Sequence, residues 1–74
     1  MFTDEEIQEI KDAIPDSISY PMIAQATNGQ VSLSEVKRFY AYKTVPFTKA
    51  LEIVKSTKKL IREQESKKKK ALSL

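Results

Sequence analysis

Two short motifs mark where helices begin in this chain of 74 residues. Thr3 with Glu6, and again Ser32 with Glu35, have the spacing of a capping box. In this motif a Ser or Thr hydroxyl and a Glu carboxylate three residues later each bond the other's backbone N–H group. Apolar residues flank both boxes at the positions of a hydrophobic staple. The sequence therefore predicts helices that start at about residues 4 and 33.

A proline and an Asn-Gly pair predict where the first two helices end. Pro15 restricts the residue before it, so the first helix is expected to end at about Ile14. A second helix is predicted over about residues 20–27, with Ser19 as its N-cap. Asn28 and Gly29 both tolerate a positive φ. No alternating strand pattern flanks this pair, which favours a turn after the helix over a β-hairpin.

The second half of the chain predicts one short and one long helix. The third helix is expected over about residues 33–42 and the fourth from near Pro46. The apolar stripe of the fourth helix stops at Ile61, and the lysine-rich stretch that follows cannot bury apolar surface. We therefore expect an all-α fold of four helices, with a domain over residues 1–65 and a basic, disordered tail over residues 66–74.

Helical periodicity assigns the apolar residues of each helix to the core. The predicted core residues are Ile7, Ile10, Ala13, Ile14, Met22, Ile23, Ala26, Val36, Phe39, Tyr40, Phe47, Ala50, Leu51, Val54, Leu60 and Ile61. Ile53, Leu60 and Ile61 exceed what a small helical core is expected to cover, which makes the fourth helix the best candidate for a dimer surface.

The composition argues against an enzyme or a cofactor protein. The chain has no cysteine and no histidine, which excludes a disulfide framework, an ordinary zinc or haem site, and the commonest general base. One glycine cannot make a phosphate-cradling loop. Glu5 and Glu9 are spaced as neighbours on a helix, but on the first helix they are best explained as surface groups. We expect no enzymatic activity, no cofactor and no small-molecule substrate.

The charge is unevenly distributed along the chain. Residues 1–16 carry six acids and one base, a sum of −5, and residues 17–74 carry twelve bases and four acids, a sum of +8. A basic face is the expected footprint of a polyanion-binding surface, although a solvated lysine-rich surface would have the same composition. The N-terminus is acidic and no apolar run is long enough to span a bilayer. We therefore expect a cytoplasmic protein with no membrane partner.

Residues 20–51 carry a recognisable order of features. Ile23-Ala24 lies in a short helix, and a glycine-containing turn leads to the capped stretch Val31-Ser32-Leu33-Ser34-Glu35-Val36. Residues 43–47 then run from a lysine to Pro46-Phe47. This stretch resembles the helix-turn-helix of the lambda-repressor/Cro-like family. The resemblance extends through Ile61 and implies a DNA-binding transcriptional regulator, repressor-like and of phage or mobile-element type, that acts as a homodimer.

The turn departs from the family pattern. The distance from Ala24 to Ser32 is about two residues longer than usual in the family. Ala26 in place of Ala24 restores the spacing, but it puts Gln25 at an apolar position and Gln30 at the usual glycine position. The family's fifth helix is also missing or merged into the long fourth one.

The outer face of the third helix supplies the predicted DNA contacts. Residues near the N-terminus of a recognition helix, here about residues 32–42, meet base edges in the major groove. Arg38 suits a bidentate contact with guanine, and Lys37 suits a base or a phosphate. Ser32 is also a helix cap, and Tyr42 is either a core edge or a phosphate-binding hydroxyl. The candidate DNA-binding residues are Gln30, Ser32, Ser34, Lys37, Arg38, Tyr42, Lys43 and Thr44.

Two other functions fit the same sequence. A small helical adaptor or inhibitor would use this scaffold to bind protein without binding DNA, because a fold does not fix a function. RNA binding has weaker support, since the sequence contains neither a glycine-rich motif nor a strand motif that carries aromatic residues. Double-stranded DNA is the partner that the sequence favours.

Overall fold

The fold consists of four helices joined by short links. A computed structural model describes the backbone of residues 2–72 and the side chains of residues 2–66. The helices are α1 (Asp4–Asp12), α2 (Tyr20–Ala26), α3 (Leu33–Tyr40) and α4 (Phe47–Leu72). α2 packs against both α3 and α4, and α3 also contacts α1 and α4. The predicted all-α class, with its long C-terminal helix, is confirmed.

Both predicted capping boxes are formed. The Glu6 backbone N–H donates to the Thr3 hydroxyl oxygen at 3.1 Å, and the Thr3 N–H donates to the Glu6 carboxylate at 3.3 Å. The Ser32 box has the same pair of bonds with Glu35, at 3.3 and 3.1 Å. These bonds satisfy N–H groups that have no partner within the helix. Ser19 is the N-cap of α2 as predicted, but its side chain makes no capping bond.

α3 ends two residues earlier than predicted. Tyr42 adopts a left-handed φ of 63°, which stops the helix at Tyr40. The Lys43 N–H donates to the Arg38 carbonyl at 2.9 Å, and the Tyr42 N–H donates to the Phe39 carbonyl at 3.1 Å. This pair of bonds is a Schellman motif, in which glycine usually takes the left-handed position. No glycine marks this C-terminus in the sequence, so its end could not be placed exactly by pattern alone.

The link between α2 and α3 is organised by the buried side chain of Thr27. Its hydroxyl donates to the Ala24 carbonyl at 2.6 Å and accepts from the Val31 N–H at 3.1 Å. Asn28 and Gly29 have φ values of 58° and 84°, which confirms the predicted turn. Thr27 therefore supplies the hydrogen bond that joins the two ends of this turn.

Replacing Thr27 with valine tests how much this hydroxyl contributes to the stability of the fold. Valine has nearly the same shape, but it leaves the Val31 N–H buried without a partner, which costs about 1–3 kcal/mol. We expect the free energy of unfolding, measured by urea denaturation, to fall by that amount. Thr48→Val is the matched control on an exposed position, and it should change stability by no more than about 0.5 kcal/mol. Equal stability of the two variants would contradict this role of Thr27.

The core follows the predicted periodicity in each helix. The predicted residues that are buried are Ile7, Ile23, Val36, Phe39, Tyr40, Ala50 and Val54. Ile10, Ile14, Leu60 and Ile61 are partly buried and pack against this core. Tyr20 stacks on Tyr40 with ring centroids 5.3 Å apart, which extends the aromatic part of the core to the start of α2.

Several burial predictions were wrong. Ala13, Met22 and Phe47 were expected in the core, yet Ala13 is exposed and the side chains of Met22 and Phe47 are 37% and 52% exposed. Ile53 was expected to lie beyond the core as part of a dimer surface, but it is fully buried. Residues of the links also belong to the core, namely Ile18, Val31 and Val45. The core is therefore larger than the helix stripes alone suggested.

α4 contributes a buried polar contact that the sequence did not predict. Thr57 is fully buried, and its hydroxyl oxygen lies 2.6 Å from the Tyr40 hydroxyl. The Thr57 hydroxyl also lies 2.8 Å from the Ile53 carbonyl oxygen, which accepts its hydrogen bond. Burial raises the pKa of Tyr40 to about 12, although the bond to Thr57 acts in the opposite direction. Every buried polar side-chain atom within the described residues has a partner.

The backbone of α4 extends to Leu72 and so includes most of the segment that was predicted to be a disordered tail. Lysine, glutamate and alanine are good helix formers, and neither proline nor glycine interrupts this stretch. The division of the chain into a domain and a tail at residue 65 stays a prediction.

Two kinds of feature are missing from the part of the chain that the structure describes. No helix there has the length and apolar character needed to cross a membrane. No group of three Asp, Glu, His or Cys residues is placed to hold a metal ion.

Candidate nucleic-acid interface

The two faces of α3 differ sharply in burial. Val36 and Phe39 point into the core, whereas Ser34, Lys37 and Arg38 are exposed. The capping box fixes where the helix starts, and the apolar residues fix which side faces inward. The structure therefore brings three of the predicted contact residues together on one solvent-facing surface, which we call the α3 outer face (Ser34, Lys37 and Arg38).

The exposed side chain of Arg38 also makes a hydrogen bond within the protein. Its guanidinium donates a hydrogen bond to the Thr44 carbonyl at 3.3 Å. This bond spans the left-handed turn at Tyr42 and ties the end of α3 to the link that leads into α4. A guanidinium has five N–H donors, so this single bond leaves most of them free for a ligand. The sequence did not predict this bond, because it depends on the geometry of the turn.

The acid of α3 is neutralised on the protein itself. The Lys49 ammonium lies 2.7 Å from a Glu35 carboxylate oxygen. This hydrogen bond from Lys49, followed by the one from the Ser32 backbone, lowers the pKa of Glu35. The Glu35 carboxylate is therefore negatively charged at neutral pH, and the positive charge of Lys49 balances it. Its repulsion of a phosphate near the start of α3 is reduced accordingly.

Ser32 acts as a cap. Its hydroxyl donates to the Glu35 carboxylate at 3.1 Å and accepts from the Glu35 N–H at 3.3 Å. The single O–H donor of Ser32 is thus already used. Ser34 lies two residues further along the chain. It is exposed, and its side chain makes no hydrogen bond among the described residues. Ser34 is therefore the freer of the two hydroxyls at the start of α3.

The remaining predicted contacts lie on the two links that flank α3. Gln30 is exposed in the α2–α3 link, where its backbone N–H donates to the Thr27 carbonyl at 3.3 Å. Lys43 and Thr44 are exposed in the α3–α4 link. Both links adjoin α3 in the chain, so these residues lie beside the ends of the helix that carries the outer face.

Tyr42 is directed toward α1. Its hydroxyl donates to the Gln8 side-chain oxygen, and the Lys11 ammonium lies 5.5 Å from the centre of its ring. That distance is typical of a cation–π contact. The side chain remains 40% exposed. The sequence left open whether Tyr42 lies at the edge of the core or binds a phosphate. In the structure its hydroxyl bonds to α1 and so links α1 to the end of α3.

An aromatic groove lies between the start of α1, the α3–α4 link and the start of α4, and three of the predicted contact residues, Tyr42, Lys43 and Thr44, also line it. Phe2 stacks on Phe47 with ring centroids 6.0 Å apart, and it meets the edge of Phe39 at 5.8 Å. The groove has a volume of about 160 Å³, and Val45 contributes to its floor. Sequence reasoning missed this groove because Phe47 fits the apolar stripe of α4. Its position as the first residue of α4 is the signal that it lies at the edge of the core.

Comparison of the chain with protein-family models, with curated protein sequences and with solved structures gives no significant match. The likeness to the lambda-repressor/Cro-like family therefore depends on the sequence features of residues 20–61 alone.

Proposed function

We propose that this protein is a sequence-specific, DNA-binding transcriptional regulator of the repressor type, with α3 as its recognition helix. The observation that supports this best is the α3 outer face. It presents a hydroxyl and two cations, while Lys49 pairs with the acid of the same helix. Short polar groups and an arginine on one helix face are the groups that read base edges in the major groove.

The arrangement around α3 supports the same proposal. α2 packs against α3, as the first helix of a helix-turn-helix does. The link of residues 27–32 is longer than the turn of about 3–4 residues in that motif. The buried hydroxyl of Thr27 bridges this longer link, so the two helices are still held together. Gln30, Lys43 and Thr44 lie on the flanking links, where phosphate contacts would fix the register of the helix.

We further propose that the protein acts as a homodimer in the cytoplasm, without a cofactor, and that it is of phage or mobile-element type. A single DNA-binding module of this size buries about 600–1,000 Å² on DNA, which is modest for specificity. Two copies on half-sites about 34 Å apart would double that contact. Selection of bound sequences from a random duplex pool tests this directly, since a homodimer should select a pseudo-palindrome.

Arg38→Lys is the variant that tests sequence reading. Lysine keeps the charge but cannot make the planar, bidentate contact that arginine makes with guanine. We expect the variant to lose about 1–3 kcal/mol of discrimination at one base position of the selected site. Competition between the selected duplex and a random duplex, measured by fluorescence anisotropy, gives this value.

The control for Arg38→Lys is Arg62→Lys, which makes the same cation exchange at an exposed position of α4, outside the α3 outer face. It should leave discrimination unchanged. Thermal unfolding of both variants checks that losing the bond from Arg38 to the Thr44 carbonyl has not unfolded the domain. A selection that returns no enriched sequence, or an Arg38→Lys variant with unchanged preference at every position, would overturn the proposal.

The aromatic groove favours a second candidate function, a protein-interaction module that does not bind DNA. Phe47 is 52% exposed beside Phe2, and exposed aromatic residues are enriched at protein interfaces. The same titration separates the two candidates. An interaction module would show no micromolar affinity for duplex DNA at low salt and no decrease of affinity with rising salt.

A further inference from the structure

The solvent-facing side of α4 carries a row of cations. Lys55, Lys58, Lys59 and Arg62 are all exposed, and we call them the α4 stripe. The 3.6-residue repeat places them within about 100° of one another around the helix axis. The buried residues of α4 lie on the other side, namely Ala50, Ile53, Val54, Ser56 and Thr57. The stripe is therefore held on a fixed surface by the packing of the other face.

The cations of the α4 stripe have no partners among the described side chains. None of the four forms a salt bridge or a hydrogen bond within residues 2–66, although Glu52, Glu63 and Glu65 lie along its edges. Lys49, on the same helix, does pair with Glu35. Among the described side chains, Lys49 is thus the α4 cation that forms an ion pair, and the stripe cations remain exposed to solvent.

Like charges are neighbours within the stripe. Lys55 has like charges three and four residues later, and Arg62 has like charges three and four residues before it. Such pairs repel each other, whereas the acids at the edges of the stripe, three or four residues from Lys55, Lys59 and Arg62, oppose this effect. A polyanion bound along the stripe would reduce the repulsion between its cations.

The length of the stripe suits duplex DNA. Lys55 and Arg62 are separated by about 10 Å along the helix axis. A B-DNA duplex carries about six phosphate charges over the same distance. The backbone of α4 then continues through four more lysines, at residues 67–70, without a break. The stripe therefore presents four positive charges over a length in which the duplex carries about six negative ones.

We infer that the α4 stripe is a second nucleic-acid contact, which binds the phosphate backbone of duplex DNA without reading its sequence. The inference rests on the proposed function in taking duplex DNA as the polyanion. In this arrangement the α3 outer face supplies discrimination between sequences, and the α4 stripe supplies affinity that is common to all of them. The two surfaces then make separable contributions to binding.

The test replaces all four stripe residues with glutamine, which is a good helix former and carries no charge. Fluorescence anisotropy with a random duplex, over a salt series, should show at least about a tenfold loss of affinity at about 0.1 M salt. The slope of log K against log salt should become shallower by about 3.6, since each lost phosphate contact contributes about 0.9. The preference for the selected duplex over the random one should change by less than about twofold.

A second variant separates contact from net charge. It keeps the four stripe substitutions and restores the net charge of +3 by neutralising four exposed acids outside α4: Asp4→Asn, Glu5→Gln, Glu9→Gln and Asp16→Asn. If the stripe binds DNA directly, this variant stays weak. Recovery of wild-type affinity would overturn the inference, because net charge alone would then explain the binding.

The remaining outcomes are also decisive. Unchanged random-duplex affinity and salt slope in the stripe variant would overturn the inference while leaving the role of α3 intact. The stripe variant could also lose affinity while the selection with the unmodified protein returns no enriched sequence. That result would contradict the proposed sequence specificity and support the α4 stripe as a DNA contact. Binding to vesicles that contain phosphatidylserine provides the last comparison. If the unmodified chain binds them more tightly than the random duplex, and the stripe variant loses this binding, the stripe contacts a membrane surface and the inference is overturned.

Discussion

Replacing Phe39 with alanine is expected to lower the free energy of unfolding by about 3–5 kcal/mol. The Phe39 side chain is 2% exposed and contacts the rings of Phe2 and Tyr40, with centroids 5.8 and 5.0 Å away. Its loss leaves a cavity where α1, α3 and α4 meet. A domain of this length has a total stability of about 4–11 kcal/mol, so the variant should be close to half unfolded under mild denaturing conditions.

Phe47→Ala is the matched control for Phe39→Ala. The chemical change is the same, but Phe47 is 52% exposed and has water on one side. Its stacking on Phe2 contributes about 0.5–1.5 kcal/mol in addition to the apolar area that it buries, so the loss should be clearly smaller than for Phe39→Ala. Urea denaturation of both variants gives the comparison. Equal losses would contradict the burial pattern of the structure, because Phe47 would then be as much a part of the core as Phe39.

Tyr40 is expected to make the stability of the protein fall steeply at alkaline pH. Burial raises the pKa of Tyr40 from its ordinary value of 10.0 to about 12, although the hydrogen bond to Thr57 acts in the opposite direction. Folding therefore favours the protonated phenol. This stabilisation is fully present below pH 10 and is lost as the pH rises from 10 to about 12. The loss amounts to about 2–3 kcal/mol.

The control for this pH dependence is Tyr40→Phe. At neutral pH it should cost about 1 kcal/mol for the missing hydrogen bond. Thr57 keeps its bond to the Ile53 carbonyl, so no buried donor is left without a partner. Unfolding curves measured in steps from about pH 8 to pH 12 should then differ, because the wild type loses the tyrosine contribution and Tyr40→Phe does not. Parallel pH profiles would show that Tyr40 ionises as readily in the folded chain as in the unfolded one.

The predictions from sequence succeeded where a few neighbouring residues decide the structure. The capping boxes at Thr3 and Ser32 need only residues three positions apart, and both formed as expected. The turn at Asn28 and Gly29 likewise depends on two residues that tolerate a positive φ. The end of α3 was placed wrongly because Tyr42, a bulky residue, takes a left-handed conformation that its own chemistry disfavours.

Long-range contacts were outside the reach of sequence patterns. Ile53 lies at a helical position that the predicted core did not need, but it is fully buried in a core that also includes residues from three links. The bonds from Tyr40 to Thr57 and from Arg38 to the Thr44 carbonyl join residues whose pairing depends on how the helices meet. Nothing in the local sequence of either partner specifies them.

The sequence by itself determined where α1 and α3 begin and which face of α3 turns inward, because capping and apolar periodicity act within one helix. Only the tertiary structure decided what the exposed residues can do. It tied Glu35 to Lys49 and directed Tyr42 toward α1. It also left the cations of the α4 stripe without an acidic partner among the described side chains. Such pairings depend on distances between elements, and those distances are fixed when the helices pack together.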